Sequence, residues 1–342
     1  MRFGSIPVLL LAALAVLAIA CGGDDDDSTA TGAAGTDDRL HVVTSVSPIT
    51  SLAENIGGTR IILQGIVPEG TNSHTYEPPF SVVRILADAD VIIINGLQLE
   101  EPLLELAEAN KKSDAVIVQV GDLTIAPDDY RYDFSFPVSG GKPNPHLWPD
   151  PLLALEYAGQ IHDALQSADP ENAAYYDTNY ATLRARLESL DAAIKTTVAT
   201  IPEANRKLLT YHDSWAYFAA RYGMTVIGAV QPSDFSEPSA REVADLIDQI
   251  KEEQVPAVFG SEVFASPVLE QIAAEGGAEF VDELRDDDLP GEPGDPLHSY
   301  LGLMVQNLRI MAPALGGHAS AMDNVETGLV FTDGPSSATY PQ

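Results

Sequence analysis

Between Asp169 and Pro202 the chain reads DPENAAYYDTNYATLRARLESLDAAIKTTVATIP. Its large apolar residues, Tyr176, Tyr180, Leu183, Leu187, Leu190, Ile194, Val198 and Ile201, step by three or four throughout. That period places them on one stripe of one helix. Asp169 is suited to cap the start, Pro170 to occupy the first helical position and Pro202 to end the helix. About 31 residues at a rise of 1.5 Å predict a rod of about 46 Å. Such a rod resists large hinge bending, although an amphipathic helix lying within one lobe would show the same stripe.

Outward from the rod, both flanks carry the same rhythm. Before it, short β-branched runs at Val42–Val46, Ile61–Leu63, Val91–Ile94 and Val116–Val118 are separated by stretches of helical length. After it, Leu208–Tyr211, Thr225–Ile227, Ala257–Phe259 and Glu279–Val281 repeat the pattern, with helices such as Ala240–Glu253 between them. Continuous apolar strands alternating with helices point to buried parallel sheets. The predicted fold is therefore α/β: two α/β lobes with parallel-type sheets, residues 39–168 and 203–318, joined by one long rigid helix over 169–202. Residues 319–342 hold few helix or strand cues and are expected to form a loosely ordered tail.

The start of the chain reads as an export signal. An apolar run from Ile6 to Ala20 follows Met1-Arg2 and ends at the only cysteine, Cys21. The run is shorter than the roughly 20 residues a membrane-crossing helix needs. Residues 1–20 are read as the signal peptide and 21–38, with six aspartates and almost no large apolar side chain, as a flexible acidic tether. One cysteine allows no internal disulfide. Removing the signal leaves about 320 residues, enough for two domains of about 150. A formal charge of −33, from 18 basic and 51 acidic residues, argues against a nucleic-acid partner.

Three of the seven histidines fall in loop-like surroundings. His74 lies in GTNSHTYEPP after a predicted strand, and His146 in NPHLWPDP, where Asp150 can cap the next helix. His212 follows the strand ending at Tyr211 and opens YHDSWAYFAARYG. Ligands in open α/β sheets gather beyond the carboxyl ends of strands, so these loops can converge. Imidazole suits zinc and its neighbours, and a carboxylate can complete a four-coordinate site. Taken singly, each histidine could equally be a surface or capping side chain.

Together, GTNSHTYEPP, NPHLWPDP and YHDSWAYFAARYG resemble, in order, the ligand motifs of the metal-binding lipoproteins of zinc and manganese ABC importers, the cluster A-I solute-binding proteins. The resemblance spans about residues 40–315. It implies His74 and His146 from the first lobe and His212 from the second as metal ligands. The family's fourth ligand is an aspartate before a Thr/Ser-Tyr and a Met- and Asn-containing helix, which here implies Asp282 in FVDEL ahead of Ser299-Tyr300. Glu283, Asp286, Asp287 and Asp288 remain alternatives at that position. Glu262, near an acid of the family's site, and Asp213 and Asn144 are expected to support the ligands, because ligating histidines usually hold their other ring nitrogen on an acceptor. His41, His162, His298 and His318 are read as non-ligands, with His298 conspicuous for the Ser299-Tyr300 that follows it.

The resemblance further implies that Leu17-Ala18-Ile19-Ala20-Cys21 is a lipobox. An ordinary signal peptide with an incidental cysteine is the alternative. The expected protein is a monomer outside the cytoplasm, held to the bacterial cell membrane by lipid on Cys21, that binds zinc and delivers it to an ABC permease. Zinc is preferred because His212 stands where manganese and iron members typically carry glutamate, and manganese is the alternative cargo, since some three-histidine relatives are linked to it as well as to zinc. No enzyme is expected: a zinc hydrolase would show a motif such as His-Glu-x-x-His, which is absent. An adhesin role has no repeat or sorting signal behind it. Cys21→Ala is expected to move the protein from the membrane to the soluble extracytoplasmic fraction; equal retention in the membrane fraction would refute the anchor.

Overall fold

A computed structural model describes residues 38–341, apart from 233–234 and 264–266. The expected signal peptide, Cys21 and all but the last residue of the tether lie outside the described residues. All eight expected strands form. In the first lobe, β1 (Leu40–Thr44), β2 (Ile61–Gly65), β3 (Val91–Ile94) and β4 (Val116–Gln119) make a parallel sheet in the order β2-β1-β3-β4. In the second, β5 (Lys207–Thr210), β6 (Thr225–Ala229), β7 (Ala257–Ser261) and β8 (Glu279–Leu284) are also parallel, in the equivalent order β6-β5-β7-β8. Parallel neighbours require crossovers, which the helices supply. In the first lobe these are α1 (Ser47–Gly57), α2 (Phe80–Asp88) and α3 (Glu101–Asn110), and a short α4 (Val120–Thr124) follows β4.

The lobes are joined through α5 (Pro151–Ala168), capped by the Asp150 carboxylate on Leu152 N, and then α6 (Ala173–Thr200). The decisive stripe behaves as the spacing requires: Tyr176, Leu183, Leu187, Leu190, Ile194 and Val198 are all buried on α6. The predicted start was slightly early. Residues Pro170–Asn172 form a separate 3-10 turn, so the α-helix proper spans 28 residues, about 42 Å. The second lobe adds α7 (Ala216–Tyr222), α8 (Ala240–Glu253), α9 (Pro267–Gly276) and α10 (Tyr300–Ala314). One hydrophobic cluster runs continuously from Val42 and Leu63 through the α6 stripe to Phe259, Met304 and Leu308. The joining helix is therefore core to both lobes, which stiffens their relation.

The C-terminal segment corrects the expectation of a loose tail. Met322 is fully buried, Thr339 pairs in parallel with Gln64 at the edge of β2, and Gly65 N donates to Thr339 O at 2.9 Å. Tyr340 is buried and its hydroxyl donates to Glu54 Oε2 at 2.7 Å. The tail carries no strand pattern because the edge of β2 provides the hydrogen-bonding partners, a long-range arrangement invisible to local propensity. Burial pushes the Glu54 carboxyl above its usual range, against the opposing hydrogen bonds from Ser336 and Tyr340. Tyr340→Phe is expected to destabilise the fold by about 1–3 kcal/mol, since it removes a donor from a buried carboxyl group. Urea unfolding measures this, and an unchanged midpoint would show that the strap contributes nothing.

Candidate metal centre

The carboxyl ends of both sheets face the cleft between the lobes, and the loops leaving them carry the candidate ligands. His74 comes from the loop after β2, held by its own backbone N–H on Asn72 Oδ1 at 2.9 Å. His146 comes from the proline-bounded segment ahead of α5, and His212 follows β5, where Thr210 Oγ1 donates to its carbonyl at 2.6 Å. The three rings meet. His74 Nε2 lies 3.1 Å from His146 Nε2 and 3.2 Å from His212 Nε2. His146 is completely buried and His212 nearly so. Phe136 and Phe235 close over His74, the latter stacked at 4.5 Å between centroids.

Two rings are oriented through their other nitrogen. His146 Nδ1 lies 2.7 Å from Asn144 Oδ1, and the Asn144 amide donates in turn to Asp213 O at 2.7 Å and Asp133 Oδ2 at 3.0 Å. His212 Nδ1 lies 2.9 Å from Asp286 Oδ2. Such contacts leave Nε2 of both rings directed at the common point. Asp213 stands behind Asn144, whose amide its carbonyl accepts, and its carboxylate accepts from Ser135 N at 2.8 Å.

Asp282 does not join the cluster. It is exposed on β8, and its carbonyl packs where a side chain on Gly260 would stand, 2.0 Å from an ideal Cβ. The physical reason is register. Phe259 pairs with Val281 but Ser261 pairs with Leu284, so β8 holds an extra residue and continues past Val281 to Leu284. The strand's carboxyl end, and with it the ligand-bearing loop, therefore begins three residues later than the apolar run suggests. Glu283 is directed to Arg285.

The loop instead brings Asp286 and Asp287 to the site. Atoms of His146, Asp286 and Asp287 lie within 4.8 Å of one another, as do those of His74, His146 and His212. Asp287 Oδ2 accepts from Ser73 Oγ at 2.6 Å, and its buried Oδ1 has no hydrogen-bond partner among the described residues. Asp288 Oδ2 accepts from Gly70 N at 2.6 Å, so this acidic loop of the second lobe is bonded to the His74 loop of the first. Glu262, at the end of β7, organises the turn: its Oε1 accepts from the backbone N–H groups of Asp286, Asp287 and Asp288 at 2.8, 2.9 and 3.2 Å. Trp148 Nε1 adds a bond to Asp286 O at 2.7 Å.

Electrostatics divide the cluster. Burial, reinforced by the charge on His212, holds His74 and His146 well below the ordinary imidazole value, so both rings are neutral. Burial also pulls on His212, but the Asp286 carboxylate outweighs it and pushes that ring up to about 9. Reciprocally, Asp286 is held below its usual value: burial opposes this and His212 prevails. Asp287 is pushed up to about 7 by burial and then by Asp286.

The chain matches the family of the periplasmic zinc-uptake complex component A, ZnuA, over residues 42–314. It is 30% identical over 295 residues to the manganese-binding lipoprotein MntA of Halalkalibacterium halodurans, covering 86% of this chain and 93% of that one. The high-affinity zinc uptake system protein ZnuA of Bacillus subtilis is 27% identical over 315 residues, covering 90% and 97%. Among solved structures, the periplasmic zinc binding protein TroA from Treponema pallidum superposes with a TM-score of 0.74 at 26% identity, over 81% of this chain and 99% of that chain.

In the metal-free protein, a histidine NMR titration is expected to show one imidazole, His212, losing its proton near pH 9. The rings of His74 and His146 should stay neutral at pH 6.5. All three titrating together near 6.5 would refute the Asp286 pairing. With the match spanning nearly the whole described chain and the two-lobed fold shared, this protein belongs to the ZnuA family of metal-binding components of ABC importers.

Proposed function

We propose that this protein captures a divalent transition-metal ion, zinc in preference to manganese, outside the cytoplasm and delivers it to an ABC import permease. The observation that carries the reading is the meeting of three imidazole Nε2 atoms from three separate loops, with two of the rings held from behind by Asn144 and Asp286. His74, His146 and His212 are the proposed nitrogen ligands, and Asp287, with its free buried oxygen, replaces Asp282 as the proposed fourth. Four protein ligands drawn from two lobes suit capture, because a catalytic zinc keeps one position open for water. Several relatives are named lipoproteins, which supports anchoring through Cys21.

Nitrogen-rich donors favour zinc, whereas manganese prefers more oxygen and stands at the weak end of the divalent affinity order. One specific observation favours the manganese reading: Asp286 lies beside Asp287 and His146 and offers a second carboxylate. Competitive titration of metal-free protein with both ions decides between them, and tighter manganese binding would overturn the zinc preference. Each of His74→Ala, His146→Ala, His212→Ala and Asp287→Ala is expected to weaken binding at least about 100-fold, since a first ligand matters no less than its supporting partners, while Asp282→Ala leaves it unchanged. Wild-type affinity in any of the four removes that residue from the set.

The metal must displace the proton that His212 holds up to about pH 9, and below about pH 7 one on Asp287 as well. Apparent affinity should therefore rise about tenfold per pH unit between 7 and 9, more steeply below 7, and level off above 9. Calorimetry in buffers of different ionisation enthalpy counts the released protons, and zero release at pH 7.5 would refute the linkage.

A further inference from the structure

Away from the three-histidine cluster, a cavity of about 600 Å³ opens where the C-terminal tail crosses the loop between β8 and α10. Its lining includes Glu54, Pro293, His298, Leu329, Phe331 and Tyr340. His298 is 5% exposed, and neither ring nitrogen makes a hydrogen bond of good geometry among the described residues, the carbonyls of Pro290 and Gly291 being its backbone neighbours. A buried imidazole left with poorly aligned contacts recovers little of the hydrogen bonding it had in water, a cost that native proteins rarely leave uncompensated.

The surroundings of the ring are rich in oxygen. Glu69 Oε1 lies 4.0 Å from His298 Nε2, the carbonyls of Pro290 and Gly291 face the ring, and Glu292 and Asp295 add negative potential. Burial outweighs these groups and holds the imidazole below its ordinary value, in the neutral form that can ligate a cation. The Tyr340 ring packs edge-on against His298 at 4.6 Å between centroids, while its hydroxyl engages Glu54, so Glu54 is already committed.

We propose that His298 and Glu69 form a second binding site for a divalent transition-metal ion, with the carbonyl oxygens of Pro290 and Gly291 as further donors within reach. A 4.0 Å gap is too long for a hydrogen bond. It is close to the span of two ligands across an ion: bonds of about 2.1 Å in tetrahedral geometry separate ligand atoms by about 3.4 Å. One imidazole with several oxygens is a poorer donor set for zinc than three imidazoles, so this site binds more weakly. An ion there would bridge the His298 loop to Glu69, whose backbone N–H already holds Pro341 O at 3.1 Å, and so fasten the ground on which the tail lies.

The test is equilibrium dialysis of the mature protein against zinc chloride, read by elemental analysis, in about 1 M potassium chloride to screen the acidic surface. Wild type is expected to hold two equivalents, and His298→Gln and Glu69→Gln one each. Glu69→Gln keeps the backbone bond to Pro341 and guards against mistaking a folding defect for a lost ligand. His74→Ala should retain the His298 equivalent, and cobalt(II) bound to that variant should show imidazole coordination that disappears on adding His298→Gln. A count that either His298→Gln or Glu69→Gln leaves equal to that of wild type overturns the proposal. Failure of the three-histidine reading is distinguishable, because there His74→Ala would hold as many equivalents as wild type.

Discussion

The structure depends on holding three imidazoles together in a largely buried cluster. Burial alone would make such a cluster costly, and it does drive His74 and His146 to their neutral forms. The compensation is specific: Asn144 takes the Nδ1 of His146, and the Asp286 carboxylate takes that of His212. Asp286 is in turn surrounded by acids that repel it, and the turn carrying it survives because Glu262 gathers three consecutive backbone N–H groups. The site is thus a chain of dependencies from an α/β strand end, through a buried acid, to a ring nitrogen.

That chain spans both lobes. Ser73 bonds Asp287, Gly70 bonds Asp288, Trp148 bonds Asp286, and Tyr300 reaches the carbonyl of Trp148 at 2.7 Å. The ligand candidates and the lobe interface are largely the same residues, so an ion held there would also tie the lobes together. The α6 helix complements this from behind by burying its stripe in a core common to both lobes. Charge sharpens the arrangement: an incoming dication would satisfy the excess carboxylates that burial otherwise penalises, which is a physical reason for so acidic a loop beside neutral rings.

The sequence by itself determined the parts governed by short-range periodicity and residue chemistry. The α6 stripe, the eight strands and the three histidines beside strand ends were all legible, because a helix buries every third or fourth residue and a buried strand must be apolar on both faces. The support of His146 by Asn144 was legible too, being a contact only two residues apart. Tertiary structure alone decided the rest. Register between β7 and β8 determined that Asp282 faces solvent and that the loop begins after Leu284, since a bulge is a property of two paired strands and leaves no mark on one. Pairing with the edge of β2 ordered the tail, and folding brought Asp286 to His212 and Glu69 to His298. These contacts join residues far apart in the chain, where position is set by the packing of whole elements and no local pattern records it.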